Sequence, residues 1–173
     1  YSSRCSKDQK NNFIKEMRDL KYRKLSRNPW GIHQKILKLV KEKETILEVG
    51  CAAGYISKEL SKKGCKVYGV EMNPELAKEA KQYLFRLIIG DVENEDTLKK
   101  FGNLKFDSII LADVLEHLKN PGRILKRLAS LLEKNGKIII SVPNIAFLTN
   151  RLLLLLGRFD YTAWGIMDES HLR

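Results

Sequence analysis

A tight turn of small residues is the part of the sequence that first suggests chemistry. Residues 46–55 read Ile-Leu-Glu-Val-Gly-Cys-Ala-Ala-Gly-Tyr, so an apolar run ends in a turn and a helical pattern follows. Small residues let the backbone approach a ligand closely, and free N–H groups at the start of a helix can donate hydrogen bonds to it. The segment predicts a cofactor site, although one such turn alone is also compatible with a loop that binds nothing.

The glycine spacing distinguishes between two classes of cofactor. A dinucleotide site has glycines at the first, third and sixth positions of the turn, but here these positions hold Gly50, Ala52 and Tyr55. The alternative spacing has glycine at the fifth position, which is Gly54, and an acid two residues before the first glycine, which is Glu48. A carboxylate beside the turn suits a cofactor that carries an ammonium and a sulfonium, and it would repel a pyrophosphate.

Two more acids end the next predicted strands. Glu71 follows the turn by about twenty residues, where a carboxylate can accept hydrogen bonds from both ribose hydroxyls of either NAD or S-adenosylmethionine (SAM). Asp91 ends the third predicted strand and could accept from an adenine amino group. Each acid alone could be a strand-end cap or a solvated charge. Acids at three consecutive strand ends favour a common ligand.

Alternating strands and helices must position these residues. Short apolar runs predict strands, and the longer segments between or after them predict helices that end at Gly64 and at residues 135–136. Continuous apolar runs are typical of a parallel sheet with helices on both faces. The pattern predicts a Rossmann-like three-layer α/β sandwich with a mostly parallel sheet. The strands are 45–49, 66–71, 85–89, 106–111 and 137–142, and the helices are 54–63, 74–82, 96–101 and 121–134.

This ordered series of motifs resembles the class I SAM-dependent methyltransferases. It is most similar to the type 11/12 small-molecule branch, which includes ubiquinone-pathway O-methyltransferases, and the resemblance covers roughly residues 32–173. The family sheet has seven strands, of which the last two form an antiparallel pair. We expect that pair to be missing, because the chain stops at Arg173. The motifs are residues 46–55, 68–75, 90–92, 107–118 and 136–144.

The resemblance implies that SAM is the cofactor and S-adenosylhomocysteine the product. The family turn usually has glycine where this chain has Ala52, a small departure. The implied contacts are Glu48, Gly50, Ala52 and Gly54 at the methionine end, Glu71 at the ribose, Met72, Asp91 and Val92 at the adenine, and the backbone of Leu111 and Ala112 at the amino-acid portion.

Candidate catalytic groups follow the fourth predicted strand. Methyl transfer is an in-line displacement in which positioning supplies much of the rate, and a base is needed only for a reluctant acceptor proton. Helical spacing would put Asp113, Glu116 and His117 near one face. His117 and His171 are the candidate bases, although His117 could instead cap or pack the next helix. His171 lies in a His-Leu-Arg segment similar to one in family relatives.

The same acidic segment also raises the question of a metal. Some ubiquinone-pathway relatives carry similar acid–x–x–acid–His segments tied to Mg²⁺, so Asp113, Glu116 and His117 could form a hard-metal site. The segment is common in relatives with no metal, and we therefore expect none here.

The organisation predicted for the 173 residues is one domain in three parts. Residues 1–44 form an N-terminal segment, helical over 7–43, with Trp30 and the apolar stripe from Ile32 to Val40 as packing positions. Residues 45–144 form the SAM-binding α/β domain. Residues 145–173 form a substrate-side lid in which Arg151 and Arg158 flank a leucine run; such a lid suits a hydrophobic or anionic acceptor and leaves peripheral contact with a membrane open.

The composition indicates the cellular setting and limits the classes of binding partner. The cysteines at 5, 51 and 65 have no paired or metal-ligand spacing, which favours a cytoplasmic protein with inert thiols. No apolar run approaches the ~20 residues of a membrane span. The net charge of +11 allows binding to nucleic acid, yet no nucleic-acid motif accompanies it. The sequence does not determine the oligomeric state.

Oxygen of a small or lipid-linked acceptor is the leading target, by the resemblance. No Asn/Asp-Pro-Pro-aromatic tetrad or Pro-Cys pair is present, which disfavours methylation of exocyclic base amines and of pyrimidine rings. Two alternatives stay open. One is an RNA methyltransferase, which the basic charge favours. The other is a SAM-binding partner protein without catalysis, which the shortened sheet and the lack of an obvious base allow.

Overall fold

The fold is a parallel sheet with helices on both faces. The computed structural model describes residues 25, 28–159, 161–162, 168 and 171–172. Short 3-10 turns lie at Lys81–Tyr83 and Leu115–His117. The elements in chain order are α1 (Ile32–Leu39), β1 (Thr45–Val49), α2 (Tyr55–Lys62), β2 (Lys66–Glu71), α3 (Pro74–Ala80), β3 (Arg86–Ile89), α4 (Glu95–Lys99), β4 (Phe106–Ala112), α5 (Pro121–Ala129), β5 (Leu132–Ser141) and α6 (Leu148–Leu155).

The order of the strands determines where a ligand can bind. The five strands are all parallel and run in the order β3-β2-β1-β4-β5, which confirms the predicted Rossmann-like fold. The chain adds β2 and β3 on one side of β1 and then crosses back to add β4 and β5. The winding therefore reverses between β1 and β4, where Val49 pairs with Leu111. Ligands of open α/β sheets bind outside the carboxyl ends of the strands at such a point.

Two apolar layers hold the sheet between its helices. Leu47 and Ile109 lie in the layer that α4 and α5 cover, and their neighbours Ile46 and Ile110 lie in the layer that α1 and α2 cover. All four side chains are fully buried, because successive strand residues point to opposite faces of the sheet. Full burial of each such side chain contributes roughly 1.5–3 kcal/mol to the free energy of unfolding.

The start of α3 and the end of α2 follow the sequence signals. The Asn73 side chain accepts hydrogen bonds from the N–H groups of Glu75 and Leu76, with Pro74 at the first helical position, as predicted. Gly64 has the left-handed φ of 75° expected after α2. Local chemistry of this kind is readable from sequence because cap and helix are adjacent in the chain.

The helix predicted over residues 121–134 is wrong in its last five residues. The helix α5 ends at Ala129, and β5 begins at Leu132, which pairs with Phe106 of β4. The predicted helix stop at residues 135–136 is therefore also wrong, because these residues lie within β5, whose register against β4 shifts there. The leucines that predict a helix here are also compatible with a strand. The pairing of Leu132 with Phe106 of β4 makes the segment a strand.

Residues 7–24 and 26–27 of the N-terminal segment, predicted to be helical over 7–43, lie outside the described residues. Within the described part, α1 covers Ile32–Leu39, and Ile36 and Val40 are buried as predicted, with Leu37 partly buried. Ile32 and Leu39 are exposed, so their predicted packing role is wrong. Trp30 is 83% exposed, so its predicted packing role is wrong.

The segment after β5 contains the helix α6, as the lid prediction requires. None of its residues is buried, so it does not pack on the sheet. Its large side chains are exposed instead, including the leucines from 152 to 155, and Leu156 directly after the helix is exposed as well. Among the described residues, no helix is long and apolar enough to cross a membrane.

Replacing Gly54 tests the close contact at the start of α2. Gly54 has a φ of 78°, and an added Cβ would lie 2.9 Å from the Cα of Ala80. We expect Gly54→Ala to lower the free energy of unfolding by roughly 2–5 kcal/mol, because left-handed strain and a backbone clash combine. Urea unfolding measures the loss.

Gly102→Ala is the matched control. Gly102 also has a positive φ, 61°, but nothing lies within 4 Å of an added Cβ. Its substitution should cost only about 1–2 kcal/mol. Equal losses for the two variants would contradict the close packing of the turn against Ala80.

Candidate functional site

The turn after β1 is held in left-handed conformations. Gly50, Ala52 and Gly54 have φ angles of 69°, 47° and 78°. Ala52 holds this conformation at a cost of about 1–2 kcal/mol, which a glycine would avoid. A Cβ on Gly50 would lie 2.8 Å from a methyl carbon of Val114, so the turn lies directly against the segment that follows β4.

The carboxylate of Glu71 connects the ends of β1 and β2. Its Oε2 accepts a hydrogen bond from the N–H of Ala52 at 2.8 Å, and its Oε1 accepts one from the N–H of Asn73 at 2.8 Å. The side chain is only 7% exposed. Each carboxylate oxygen can accept a second hydrogen bond, so the group is fixed in place and still able to receive ligand hydroxyls.

Glu48 lies in the core, not on the surface of the turn. It is 2% exposed, and its Oε2 accepts a hydrogen bond from the hydroxyl of Ser57 in α2. Burial raises the pKa of Glu48 to about 8, and the nearby charge of Glu71 also raises it, while the Ser57 hydrogen bond lowers it. The carboxyl is therefore mostly protonated at neutral pH. Sequence reasoning missed Ser57, since a serine inside a helical pattern carries no signal of its partner.

The residues predicted at the adenine lie at the ends of β2 and β3. Met72 is 71% exposed immediately after Glu71. Asp91 is also exposed, and its Oδ1 accepts a hydrogen bond from the N–H of Glu93 at 2.8 Å. Val92 is 6% exposed with its side chain in the apolar core. Only its main chain is thus left for the predicted contact, and all three adenine contacts stay predictions.

The end of β4 is fixed by Ser141 of β5. The side chain of Leu111 is fully buried, and Ala112 is half-buried. The next residue, Asp113, has a φ of 53°, its N–H donates to Ser141 Oγ at 3.0 Å, and its Oδ1 accepts from the Ser141 hydroxyl at 2.7 Å. Nearby, the rings of His33 and Tyr55 lie with centroids 5.0 Å apart. Burial lowers the pKa of His33, and the charge of Asp113 opposes this.

Both predicted catalytic histidines meet in one cluster. The ring centroids of His117 and His171 are 5.0 Å apart, and Glu116 lies with them, one ligating atom of each residue lying within 4.8 Å of the others. The predicted grouping with Asp113 is not found, because residues 115–117 form a 3-10 turn and Asp113 precedes it in a left-handed conformation. The grouping with His171 was not predicted, since 54 positions separate it from His117 in the chain.

Glu116 is the most unusual member of this cluster. It is 5% exposed, and neither carboxyl oxygen accepts a hydrogen bond from another described residue. Burial raises the pKa of Glu116 most and the charge of Asp113 also raises it, whereas its own backbone N–H and the charges of the two histidines lower it. The backbone carbonyl of Glu116 accepts from the N–H of Leu172 at 2.8 Å, which holds the His171 segment against the turn.

The comparison with protein families agrees with this geometry. The model of a methyltransferase domain matches residues 20–172, nearly the whole chain. The chain belongs to the methyltransferase domain family. Membership of this family agrees with the predicted SAM-dependent methyltransferase, and the family's cofactor is the predicted SAM.

Individual relatives support the membership. A ubiquinone biosynthesis O-methyltransferase of Coxiella burnetii is 32% identical over 105 residues, which cover 59% of this chain and 44% of the relative. One from Xanthomonas euvesicatoria is 29% identical over 102 residues, 57% of this chain and 43% of the relative. The chain therefore spans less than half the length of the curated relatives that it matches.

Solved structures share the fold. A TehB-like SAM-dependent methyltransferase from Corynebacterium glutamicum aligns with a TM-score of 0.56 and 25% identity, covering 77% of this chain and 72% of that protein. A SAM-dependent methyltransferase from Archaeoglobus fulgidus aligns with a TM-score of 0.58 and 19% identity, covering 81% of this chain and 58% of that protein.

The buried carboxyl of Glu48 should make the free energy of unfolding of this methyltransferase domain depend on pH. Because its folded pKa of about 8 exceeds the ordinary value of 4.5, its contribution to stability is present below pH 4.5 and is lost as the pH rises to about 8. Glu48→Gln stays neutral. The variant should therefore gain stability relative to wild type as the pH rises from 5 to 9, by on the order of 4 kcal/mol.

Chemical unfolding at pH 5, 7 and 9 measures this gain. The control is Glu75→Gln, at an exposed glutamate in the first turn of α3, and its difference from wild type should not change with pH in this way. A constant difference between Glu48→Gln and wild type over this range would show that Glu48 is charged in the folded protein at neutral pH.

Proposed function

We propose that this chain binds SAM at the carboxyl edge of β1, β2 and β4 and transfers its methyl group to an oxygen of a small or lipid-linked acceptor. The observation that carries the proposal is the fixed carboxylate of Glu71, which accepts from the N–H groups of Ala52 and Asn73 beside the left-handed turn. A chain of the methyltransferase family with such a group has a prepared position for the ribose of SAM.

The other predicted contacts follow from this placement of the ribose. The exposed side chain of Met72 would cover the adenine, and Asp91 would accept from its amino group. The turn from Gly50 to Gly54, together with the main chain of Leu111 and Ala112, would receive the methionine end. Glu48 would supply negative charge from the core once the cationic cofactor lowers its pKa.

Oxygen as the acceptor atom rests on two supports. The relatives are named ubiquinone biosynthesis O-methyltransferases, although at about 30% identity over part of their length. The second is the cluster of Glu116, His117 and His171, which offers imidazoles to receive a hydroxyl proton. In the transfer, the acceptor oxygen attacks the methyl carbon in line with the breaking carbon–sulfur bond, and S-adenosylhomocysteine leaves.

The exposed helix α6 supports an apolar or lipid-linked acceptor. Its leucines are uncovered, and Arg151 and Arg158 flank the leucine run. The segment 145–173 would act as a lid that binds the apolar part of the acceptor, with peripheral contact at a membrane surface. The buried free thiols of Cys51 and Cys65 support a cytoplasmic setting, and burial raises the pKa of Cys51, which keeps it unreactive.

Thermal shift with SAM, S-adenosylhomocysteine and NAD tests the cofactor. SAM and S-adenosylhomocysteine should raise the melting temperature, whereas NAD should not. Glu71→Ala should weaken SAM binding roughly 10- to 100-fold, because two charge-assisted hydrogen bonds to the ribose are lost. Glu75→Ala, which removes an exposed carboxylate four residues later, is the control and should bind SAM as wild type does. Stabilisation by NAD alone would overturn the proposal.

Transfer of a labelled methyl group from SAM tests the acceptor. Phenols and catechols with and without an apolar tail should be methylated on oxygen, and the tailed compounds should react with the lower KM. RNA oligonucleotides are the competing acceptors, and labelled RNA with salt-sensitive binding would favour an RNA methyltransferase instead. SAM binding without transfer to any acceptor would favour a non-catalytic partner protein.

A further inference from the structure

We propose that Asp113 and Ser141 are positioning residues for methyl transfer. Their paired side chains hold a bend after β4 and so set where the segment 114–118 lies relative to the methyl group of SAM. The role in transfer rests on the function proposed above, whereas the bend rests on contacts within the chain. Both residues act through the segment that follows the bend, so neither has to touch the cofactor or the acceptor.

The backbone of Asp113 is strained. Its φ is 53°, a left-handed conformation that few residues other than glycine adopt, although aspartate is among those that do. Such a conformation persists only where the surrounding contacts fix it, and functional sites hold a disproportionate share of such residues. The end of β4 is therefore a bend that neighbouring groups must hold in place.

Ser141, the last residue of β5, holds this bend. The N–H of Asp113 donates to the carbonyl oxygen of Ser141 at 3.2 Å and to its Oγ at 3.0 Å. The Ser141 hydroxyl in turn donates to Oδ1 of Asp113 at 2.7 Å. Ser141 is only 7% exposed and pairs with Ala112 of β4, so the sheet fixes the position of its hydroxyl.

The bend directs the next residues towards the cofactor turn. Val114 follows Asp113 directly, and a Cβ on Gly50 would lie 2.8 Å from a methyl carbon of Val114. The carbonyl of Val114 accepts from the N–H of His117 at 3.1 Å, within the 3-10 turn Leu115–His117. A short chain of contacts therefore joins Ser141 to the imidazole that is proposed to receive the acceptor proton.

The carboxylate of Asp113 also acts on two elements beside the turn. Burial lowers the pKa of His33 in α1 and raises that of Glu116 in the 3-10 turn, and the charge of Asp113 raises both. One carboxylate thus lies within electrostatic range of α1 and of the 3-10 turn. Movement of this carboxylate would alter the surroundings of both.

The cofactor turn has its own supports, which separates transfer from cofactor binding. The N–H of Gly50 donates to the carbonyl of Val70 at 2.8 Å, and that of Ala52 donates to Glu71. Loosening the bend should therefore move the segment 114–118 and leave the turn in place. An in-line displacement depends on the placement of its reacting groups, and an error of about 1 Å can lower the rate on the order of 100-fold.

Ser141→Ala tests the role in transfer, because it removes both hydroxyl contacts and keeps the main-chain hydrogen bond. In labelled methyl transfer from SAM to catechol, we expect kcat to fall roughly 10- to 100-fold, with the KM for SAM within about threefold of wild type. Ser141→Thr keeps the hydroxyl and should recover most of kcat. An unchanged kcat in Ser141→Ala, or a raised KM for SAM alone, would overturn the proposal.

Ser61→Ala is the matched control. Ser61 is an exposed serine of α2 whose hydroxyl donates to the carbonyl of Lys58 at 2.8 Å, away from the cofactor turn. Its loss should leave kcat and KM as in wild type. An equal fall in kcat for Ser61→Ala and Ser141→Ala would show a general effect of losing a hydroxyl and would overturn the specific role of Ser141.

Asp113→Gly separates positioning from stability. Glycine adopts the left-handed conformation without strain but lacks the carboxylate that Ser141 binds. We expect the urea midpoint of unfolding to stay close to that of wild type, while kcat falls as in Ser141→Ala. A variant that keeps both its stability and its kcat would show that the carboxylate does not position the segment.

Nuclear magnetic resonance without SAM or an acceptor tests the bend by itself. The imidazole signals of His117 should shift in Ser141→Ala and Asp113→Gly, return towards wild type in Ser141→Thr, and stay unchanged in Ser61→Ala. Unshifted signals in the first two variants would overturn the positioning role alone. A wild-type chain that binds SAM but methylates no acceptor would instead overturn the proposed function and, with it, the role in transfer.

Discussion

The carboxylate of Glu71 accepts hydrogen bonds from the two segments that follow the paired strands β1 and β2. One comes from Ala52 in the turn after β1, and the other from Asn73 at the start of α3. A largely buried carboxylate with two N–H donors is satisfied without a counter-ion. Because both donors lie at the carboxyl edge of the sheet, the same interaction that closes the fold there also shapes the position proposed for the ribose.

The winding of the sheet places every other candidate group at that edge. The chain reverses direction of growth between β1 and β4, and the residues after these strands meet where Gly50 approaches Val114. The turn from Gly50 to Gly54 and the segment that carries Glu116 and His117 are therefore neighbours.

Two buried carboxyl groups in the site region have opposite environments. Glu48 receives a hydrogen bond from the Ser57 hydroxyl, so its neutral and charged forms both have a partner in the core. Glu116 has no such donor among the described residues and instead faces His117 and His171. Burial raises the pKa of both carboxyls, but Glu48 has a hydroxyl donor in the core, whereas Glu116 lies beside two imidazoles.

By itself, the sequence determined what depends on near neighbours in the chain: the alternation of strands and helices, the cap at Asn73, the left-handed Gly64, and the turn with its following acids. It failed where distant pairing decides, as in residues 132–136, which join β4 instead of extending α5. The same limit applies to Ser57 beneath Glu48 and to the meeting of His117 with His171. Contacts between residues far apart in the chain depend on how the sheet winds, and only the tertiary structure contains that information.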